Sequence, residues 1–300
     1  IGGRLANLRD VRLRMKAVRQ TLQVTKAMNL ISTAKLRKSR RMLEDTEPYF
    51  TRIQKSMFDI LSGAEDLQST FFRQPDPEKN SRTAIVVITS DKGLAGGYNA
   101  NIFHHVNDLC KKVKNPLLIL IGAIGYRYFV HSPYVMLENF SFHSQVPTVE
   151  NAKEIADYIV SQFLWGMFDE VHIVYTHMYS TVRLLPTDFQ ILPLNSEKIQ
   201  EELSFMGNMK RVQLHFEFLP SQSVVFDALV PLYIKGTIYG SMVEAYASEQ
   251  SARMSAMDEA SKSAEDMLAS LQINYNRARQ AGITQEMSEI IGGSAALADR

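Results

Sequence analysis

Residues 89–99 read Thr-Ser-Asp-Lys-Gly-Leu-Ala-Gly-Gly-Tyr-Asn and form the segment of this chain with the clearest capacity for chemistry. A glycine-rich turn between a strand and a helix can present backbone N–H groups to a phosphate. Yet the block has neither GxGxxG nor GxxxxGK[ST] spacing, and no acidic ribose ligand follows it. Glycines that permit positive φ in a tight turn are the simpler reading. The seven histidines include no HExxH, and the closest pairs, His104–His105 and His172/His177, have the wrong spacing for zinc. Glu286 and Glu289 have no His or Lys close by in sequence to make an acid–base pair. Cys110 is the only cysteine, which excludes an intrachain disulfide and points to a reducing compartment. The sequence therefore offers no assembled catalytic constellation, no metal site and no cofactor site.

What remains is an unusual pair of ends. No Gly or Pro occurs from Arg4 to Glu47 or from Ser241 to Ala281. Proline costs about 3 kcal/mol inside a helix and glycine about 1, so these stretches predict continuous helix. Leu5, Leu8, Val11, Met15, Val18, Leu22 and Thr25 recur at spacings of three or four, the seam of a two-helix coil. Met242, Tyr246, Met257, Ala260, Ala264, Met267, Leu271 and Ala278 supply a second seam. Between Arg4 and Arg41 twelve Lys/Arg face one acid, whereas Glu244 to Arg300 holds nine acids against five Lys/Arg. Opposite charge favours pairing of the two rods with each other. Antiparallel partners are expected to have numbers summing to roughly 281, given equal rise per residue. The end of the second rod, with Ile283, Met287, Ile290 and Ile291, should then overhang and need an external sleeve. A bend is expected at Pro48, and an imperfect helix near Pro231, Gly236 and Gly240.

Between the rods the period changes. Ala84–Thr89 and Leu117–Ile121 are continuous apolar runs, and Tyr134–Phe140 and Val171–Tyr175 read as further strands. Helices are expected near Ala100–Val113, Ala123–His131 and Val149–Trp165, and an edge strand over Val212–Phe218. The fold class is α/β: a long antiparallel coiled coil of the N- and C-terminal helices plus a central Rossmann-like domain. The divisions fall at 1–73, 81–220 and 221–300. No apolar run approaches the 18 residues of a membrane span, and the Ile-Gly-Gly-Arg start lacks a secretory pattern.

Several blocks resemble the gamma subunit of F-type ATP synthases, the central rotor shaft. They are Thr25-Lys26-Ala27-Met28 with Ala34-Lys35-Leu36-Arg37, the glycine block, Ser248 to Met254, Tyr275 to Ala281, and the tail Ile283 to Ala296. The tail has Ser294 where the family pattern has Ala. The resemblance implies a non-catalytic subunit, present once per complex, that couples proton or sodium flow to ATP synthesis by rotation. Implied partners are the alpha and beta subunits of the catalytic ring, the epsilon subunit and the ring of c subunits. Nucleic acid, direct membrane insertion and bound cofactors are not expected. Ring contacts carried over by motif are Lys26, Met28, Lys35, Arg37, Gln250, Arg253, Gln280, Thr284, Glu286, Ile290 and Ile291. Arg253 is the foremost, as a charge-assisted partner for beta-subunit carboxylates. The run Lys35 to Arg41 is read as facing an acidic protein surface. Phe216 and Glu217 are the expected foot contacts, and the expected location is the cytoplasmic face of a bacterial plasma membrane, as a peripheral protein.

Overall fold

Thr83–Ile88 is buried on both faces, as its unbroken apolar character requires, and forms the central strand β1 of a five-stranded sheet. The computed structural model describes residues 2–63, 67–74, 81–140, 146–195, 219 and 221–298. Strands β2 (Pro116–Ile121), β3 (Val135–Phe140), β4 (Glu170–Met178) and β5 (Leu184–Leu192) complete the order β3-β2-β1-β4-β5. β1, β2, β3 and β4 pair in parallel, and β5 joins β4 antiparallel. The connecting helices are α2 (Tyr98–Lys112), α3 (Ala123–Phe129) and α4 (Val149–Leu164).

Strand β5 has no counterpart in the sequence reading. Pro186, Asp188 and Gln190 interrupt its apolar pattern. An edge position tolerates all three, because one side of the strand needs no ladder partner and one face can stay wet. The expected strand over Val212–Phe218 lies outside the described residues.

Two long helices frame the sheet in sequence, α1 (Gly2–Gly63) and α5 (Gln222–Ala298). Both run through a proline: Pro48, where a bend with helix resuming was expected, and Pro231, where an imperfect helix was expected. A proline inside a helix costs about 3 kcal/mol, but each fully buried large apolar side chain returns about 1.5–3 kcal/mol. Met57 and Ile60 follow Pro48 with almost no exposure, and Phe226, Val230, Ile234 and Ile238 surround Pro231 fully buried. Burial on both flanks outweighs the lost hydrogen bond.

By contact the chain divides into two compact units: Ile1–Ser32 with Met254–Arg300, and Thr33–Arg253. In the larger unit, Ala84, Val86 and Ile88 point to a core shared with α4, the later part of α1 and the earlier part of α5. Ile85 and Val87 point the other way, to a core with α2 and Phe129 of α3. Gly122 precedes α3 with φ 102°, and a Cβ there would lie 2.3 Å from the Thr89 carbonyl oxygen, so only glycine fits this turn.

The smaller unit is an antiparallel helix pair. Met15, Thr25 and Ser32 of α1 and Met257, Ser261, Ala264 and Leu271 of α5 are its buried seam. Met267, assigned to the seam from sequence, is half exposed, and Leu268 takes its place. Buried positions on α5 thus advance by four and three, the strict heptad of a coiled coil. Thr25 meets Ser261 rather than Ala256, which a sum of 281 would give. The register is therefore displaced by about five residues, or about 7 Å at 1.5 Å per residue. Leu8 likewise reaches Gly282. Sequence spacing supplies the heptad phase, but small seam residues do not specify which heptads meet. Among the described residues no helix is long and apolar enough to cross a membrane.

Candidate functional site

In an open α/β sheet the ligand crevice lies at the carboxyl ends of the strands where strand order reverses, here between β1 and β4. The glycine-rich turn of residues 91–97 leaves β1 at that point and leads into α2. Helix α5 packs against this point. Tyr98 Oη donates to the Ala245 carbonyl at 3.1 Å, and Ser248 Oγ donates to the Thr176 carbonyl at 2.8 Å. One turn further, Ser251 Oγ donates to the Thr181 carbonyl at 2.8 Å. The phosphate-cradle reading of the turn falls to packing: this crevice recognises a helix of its own chain.

Arg253 completes the closure. Its Nη2 lies 2.6 Å from Glu249 Oε1 and donates to the carbonyls of Lys92 at 3.0 Å and Gly93 at 3.2 Å. Only 9% of the Arg253 side chain is exposed. Burial holds the Glu249 carboxyl above its ordinary range, against the pull of Arg253 in the other direction. Lys35 stands close enough that burial, and then the Arg253 charge, lowers its pKa. Asp91 turns the other way and accepts from the Ala123 N–H at the start of α3, 3.0 Å away. Ser90 and Asn99 tie the base of the turn, with Asn99 Nδ2 donating to Ser90 Oγ at 2.7 Å.

Within the chain, then, the Arg253 guanidinium already has partners, beside the expected role as a donor to a partner's carboxylates. Helix α5 seats it against two carbonyls of the turn, of which that of Lys92 also accepts from Ser90 Oγ at 3.0 Å. Gln250 is buried beside it. Glu249 and Ser248 belong to the same site but went unassigned from sequence. The i, i+4 spacing of Glu249 and Arg253 was the available signal.

The other expected contacts lie elsewhere. Lys26 is exposed and paired with Glu265 across the helix pair at 2.7 Å. Met28 is half-buried, Lys35 half-buried and Arg37 exposed. Gln280, Thr284 and Glu286 are exposed on α5, with Thr284 Oγ1 spent on the Gln280 carbonyl at 3.0 Å. Ile290 and Ile291 are 70% and 63% exposed. Phe216 and Glu217 lie outside the described residues. Of the basic run, Leu36 and Ser39 are buried while Arg37, Lys38, Arg40 and Arg41 face outward.

A family model described as ATP synthase matches residues 7–297. The ATP synthase gamma chain of Acetivibrio thermocellus is 40% identical over 294 residues, covering 98% of this chain and 100% of that one. The chain belongs to the ATP synthase gamma family. The sodium ion specific gamma chain of Acetobacterium woodii is 37% identical over 303 residues, covering 97% of this chain and 99% of its own length. A chain of the mitochondrial ATP synthase of Euglena gracilis shares the fold, with TM-score 0.65 at 17% identity, over 97% of this chain and 95% of that one. As a gamma-family member the protein is the central-stalk rotor subunit of an ATP synthase, and the catalytic sites lie on other subunits. The helix seated in the crevice accords with that role: a fold built to bind a ligand at its switch point here holds a shaft helix.

Proposed function

We propose that the helix pair of residues 1–73 and 221–300 is an axle within a ring of alpha and beta subunits, and that the 81–220 segment meets the epsilon subunit and the ring of c subunits. One copy per complex is expected, held as a peripheral protein on the cytoplasmic face of a bacterial plasma membrane. The observation that carries this reading is the run of apolar residues on the end of α5. Ile283, Met287, Ile290 and Ile291 are between 50% and 70% exposed on a helix that water alone does not stabilise. Such a surface fits a sleeve supplied by other chains. Leu30 and Ile31 of α1, 71% and 55% exposed, are a separate exposed apolar pair near Met254 of α5.

The mechanism is differential contact. Three chemically identical sites stay equivalent unless something touches them differently, and only a difference in interaction free energy moves a conformational population. An axle with Lys26 and Met28 on one helix and Gln280, Thr284 and Glu286 on the other presents a different surface at every angle. Arg37 and the exposed part of the basic run offer positive charge to an acidic segment of the ring. A 1:99 to 99:1 shift needs about 5.5 kcal/mol of such difference. Several contacts of a few kcal/mol each, changing together with angle, are enough.

Removal of residues 288–300 tests the reading in the assembled complex. Assembly and torque should weaken while nucleotide binding at the ring persists. A truncated complex that still assembles but no longer binds nucleotide would overturn it.

A further inference from the structure

Torque can pass from the sheet to α5 only through contacts that resist rotation of the helix about its own axis. Most contacts on the earlier part of α5 are apolar, through Phe226, Val230, Ile234 and Ile238. Apolar burial is non-directional, so it resists separation better than it resists slippage. The directional contacts among the described residues of this face are few. Tyr98 bonds a carbonyl of α5, Ser248 and Ser251 each give one neutral hydrogen bond to a strand or loop carbonyl, and Glu244 accepts from the Met178 N–H of β4 at 3.2 Å and lies 2.6 Å from His177 Nδ1.

Glu244 reaches the end of β4, whereas Arg253 reaches the turn that leaves β1. One nitrogen reaches two consecutive carbonyls, those of Lys92 and Gly93, while Glu249 holds it from one helical turn back. Charge-assisted hydrogen bonds are about twice as strong as neutral ones and have narrow geometry. The two carbonyls belong to the turn that leaves β1, the middle strand of the sheet. The acceptors are main-chain atoms, so they move only if the turn itself moves.

We propose that Arg253, oriented by Glu249, is a positioning residue that locks α5 in rotation to the turn after β1, so that torque passes between the sheet and the helix without slip. It rests on the rotor reading above. Neither residue touches a nucleotide. Their work is mechanical, and they act as a clamp at the residue where α5 leaves the larger unit.

The test uses complete ATP synthase in sealed vesicles, driven by ATP, with uptake read by a proton-sensitive dye and by radiosodium. The quantity is ions moved per ATP hydrolysed. Arg253→Ala should lower that ratio by about fivefold while the hydrolysis rate stays within about twofold of wild type. Arg253→Lys, which keeps the charge but loses the planar fork, should fall between them. Glu249→Gln, nearly isosteric, should lower the ratio less than Arg253→Ala. Amide exchange across residues 91–97 in the same complexes should rise by about tenfold in Arg253→Ala, as expected for loss of a charged hydrogen bond. An unchanged ratio in assembled Arg253→Ala complexes would overturn the clamp, whatever the exchange shows. So would a parallel loss of hydrolysis and uptake in all three variants. If Arg253→Ala does not assemble, Arg253→Lys and Glu249→Gln decide by the same ratio. Failure of the wild-type complex itself to couple uptake to hydrolysis would refute the rotor reading instead.

Discussion

Thr25 Oγ1 and Ser261 Oγ lie 2.8 Å apart in the buried seam of the helix pair. Thr25 also donates to the Leu22 carbonyl of its own helix at 3.0 Å. A hydroxyl has one proton, so Ser261 is the donor of the pair and Thr25 its acceptor. The bond fixes the register of an otherwise small and apolar seam, in the way one buried polar contact does in other coiled coils.

Breaking this pair should therefore be non-additive. Ser261→Ala and Thr25→Val alone should each cost about 1–2 kcal/mol, because one buried polar group loses its partner. The double variant should cost less than the sum by about 0.5–1 kcal/mol. Denaturant unfolding of the full chain measures all three, and strict additivity would show that the hydroxyls do not interact.

Two glycines on α5 should respond oppositely to alanine. A Cβ at Gly236 would stand 2.1 Å from Phe50 Cδ1 and 3.0 Å from Phe50 Cγ, so the whole ring must move. Gly236→Ala should destabilise by about 1–3 kcal/mol, the cost of overpacking. A Cβ at Gly240 meets nothing within 4 Å, although the residue lines the same cavity of about 350 Å³ beside Phe50 and Tyr233. Gly240→Ala should stabilise by about 0.5–1 kcal/mol through helix propensity alone. Thermal unfolding of the two variants distinguishes them by sign.

The Glu249 carboxyl makes stability depend on pH in a definite direction. Its folded pKa is raised above the ordinary value of 4.5 by burial. The folded chain then holds the proton more tightly than the unfolded chain, so this contribution is full below 4.5 and is lost as pH rises through the folded pKa. Glu249→Gln cannot titrate. The melting temperature of the variant minus that of wild type should become more positive between about pH 4.5 and pH 7. A difference that moves the other way would mean that pairing with Arg253 outweighs burial. A clamp that costs stability yet fixes geometry is consistent with the behaviour of buried ion pairs.

Cys110 should be a poor nucleophile in the folded chain. Burial on the inner face of α2 pushes its thiol to about 11. Alkylation at neutral pH should run at least about a hundredfold slower than after denaturation, where an ordinary thiol titrates near 8.5. Rapid labelling of the folded chain would show that α2 opens from the sheet.

The sequence by itself determined the two long helices, the four parallel strands and their helices, and the absence of a metal or catalytic pattern. Each is a local matter: breaker-free stretches and apolar periodicity act through neighbouring residues. It also determined the family, because the blocks around Met28, Asp91, Arg253 and Met287 stand in order along the whole chain. Only the tertiary structure decided how the helices register, since a seam of Ala, Ser and Met has the heptad phase but no unique partner at each step. Thr25 meets Ser261 through a hydroxyl pair that no period reveals. Tertiary structure likewise carried α1 and α5 through Pro48 and Pro231, where distant burial overrides a local cost. It also brought Arg253 onto the carbonyl of a turn 160 residues away in sequence. An arginine and two main-chain carbonyls carry no joint signature in a one-dimensional chain, and the fold alone brings them within hydrogen-bonding distance.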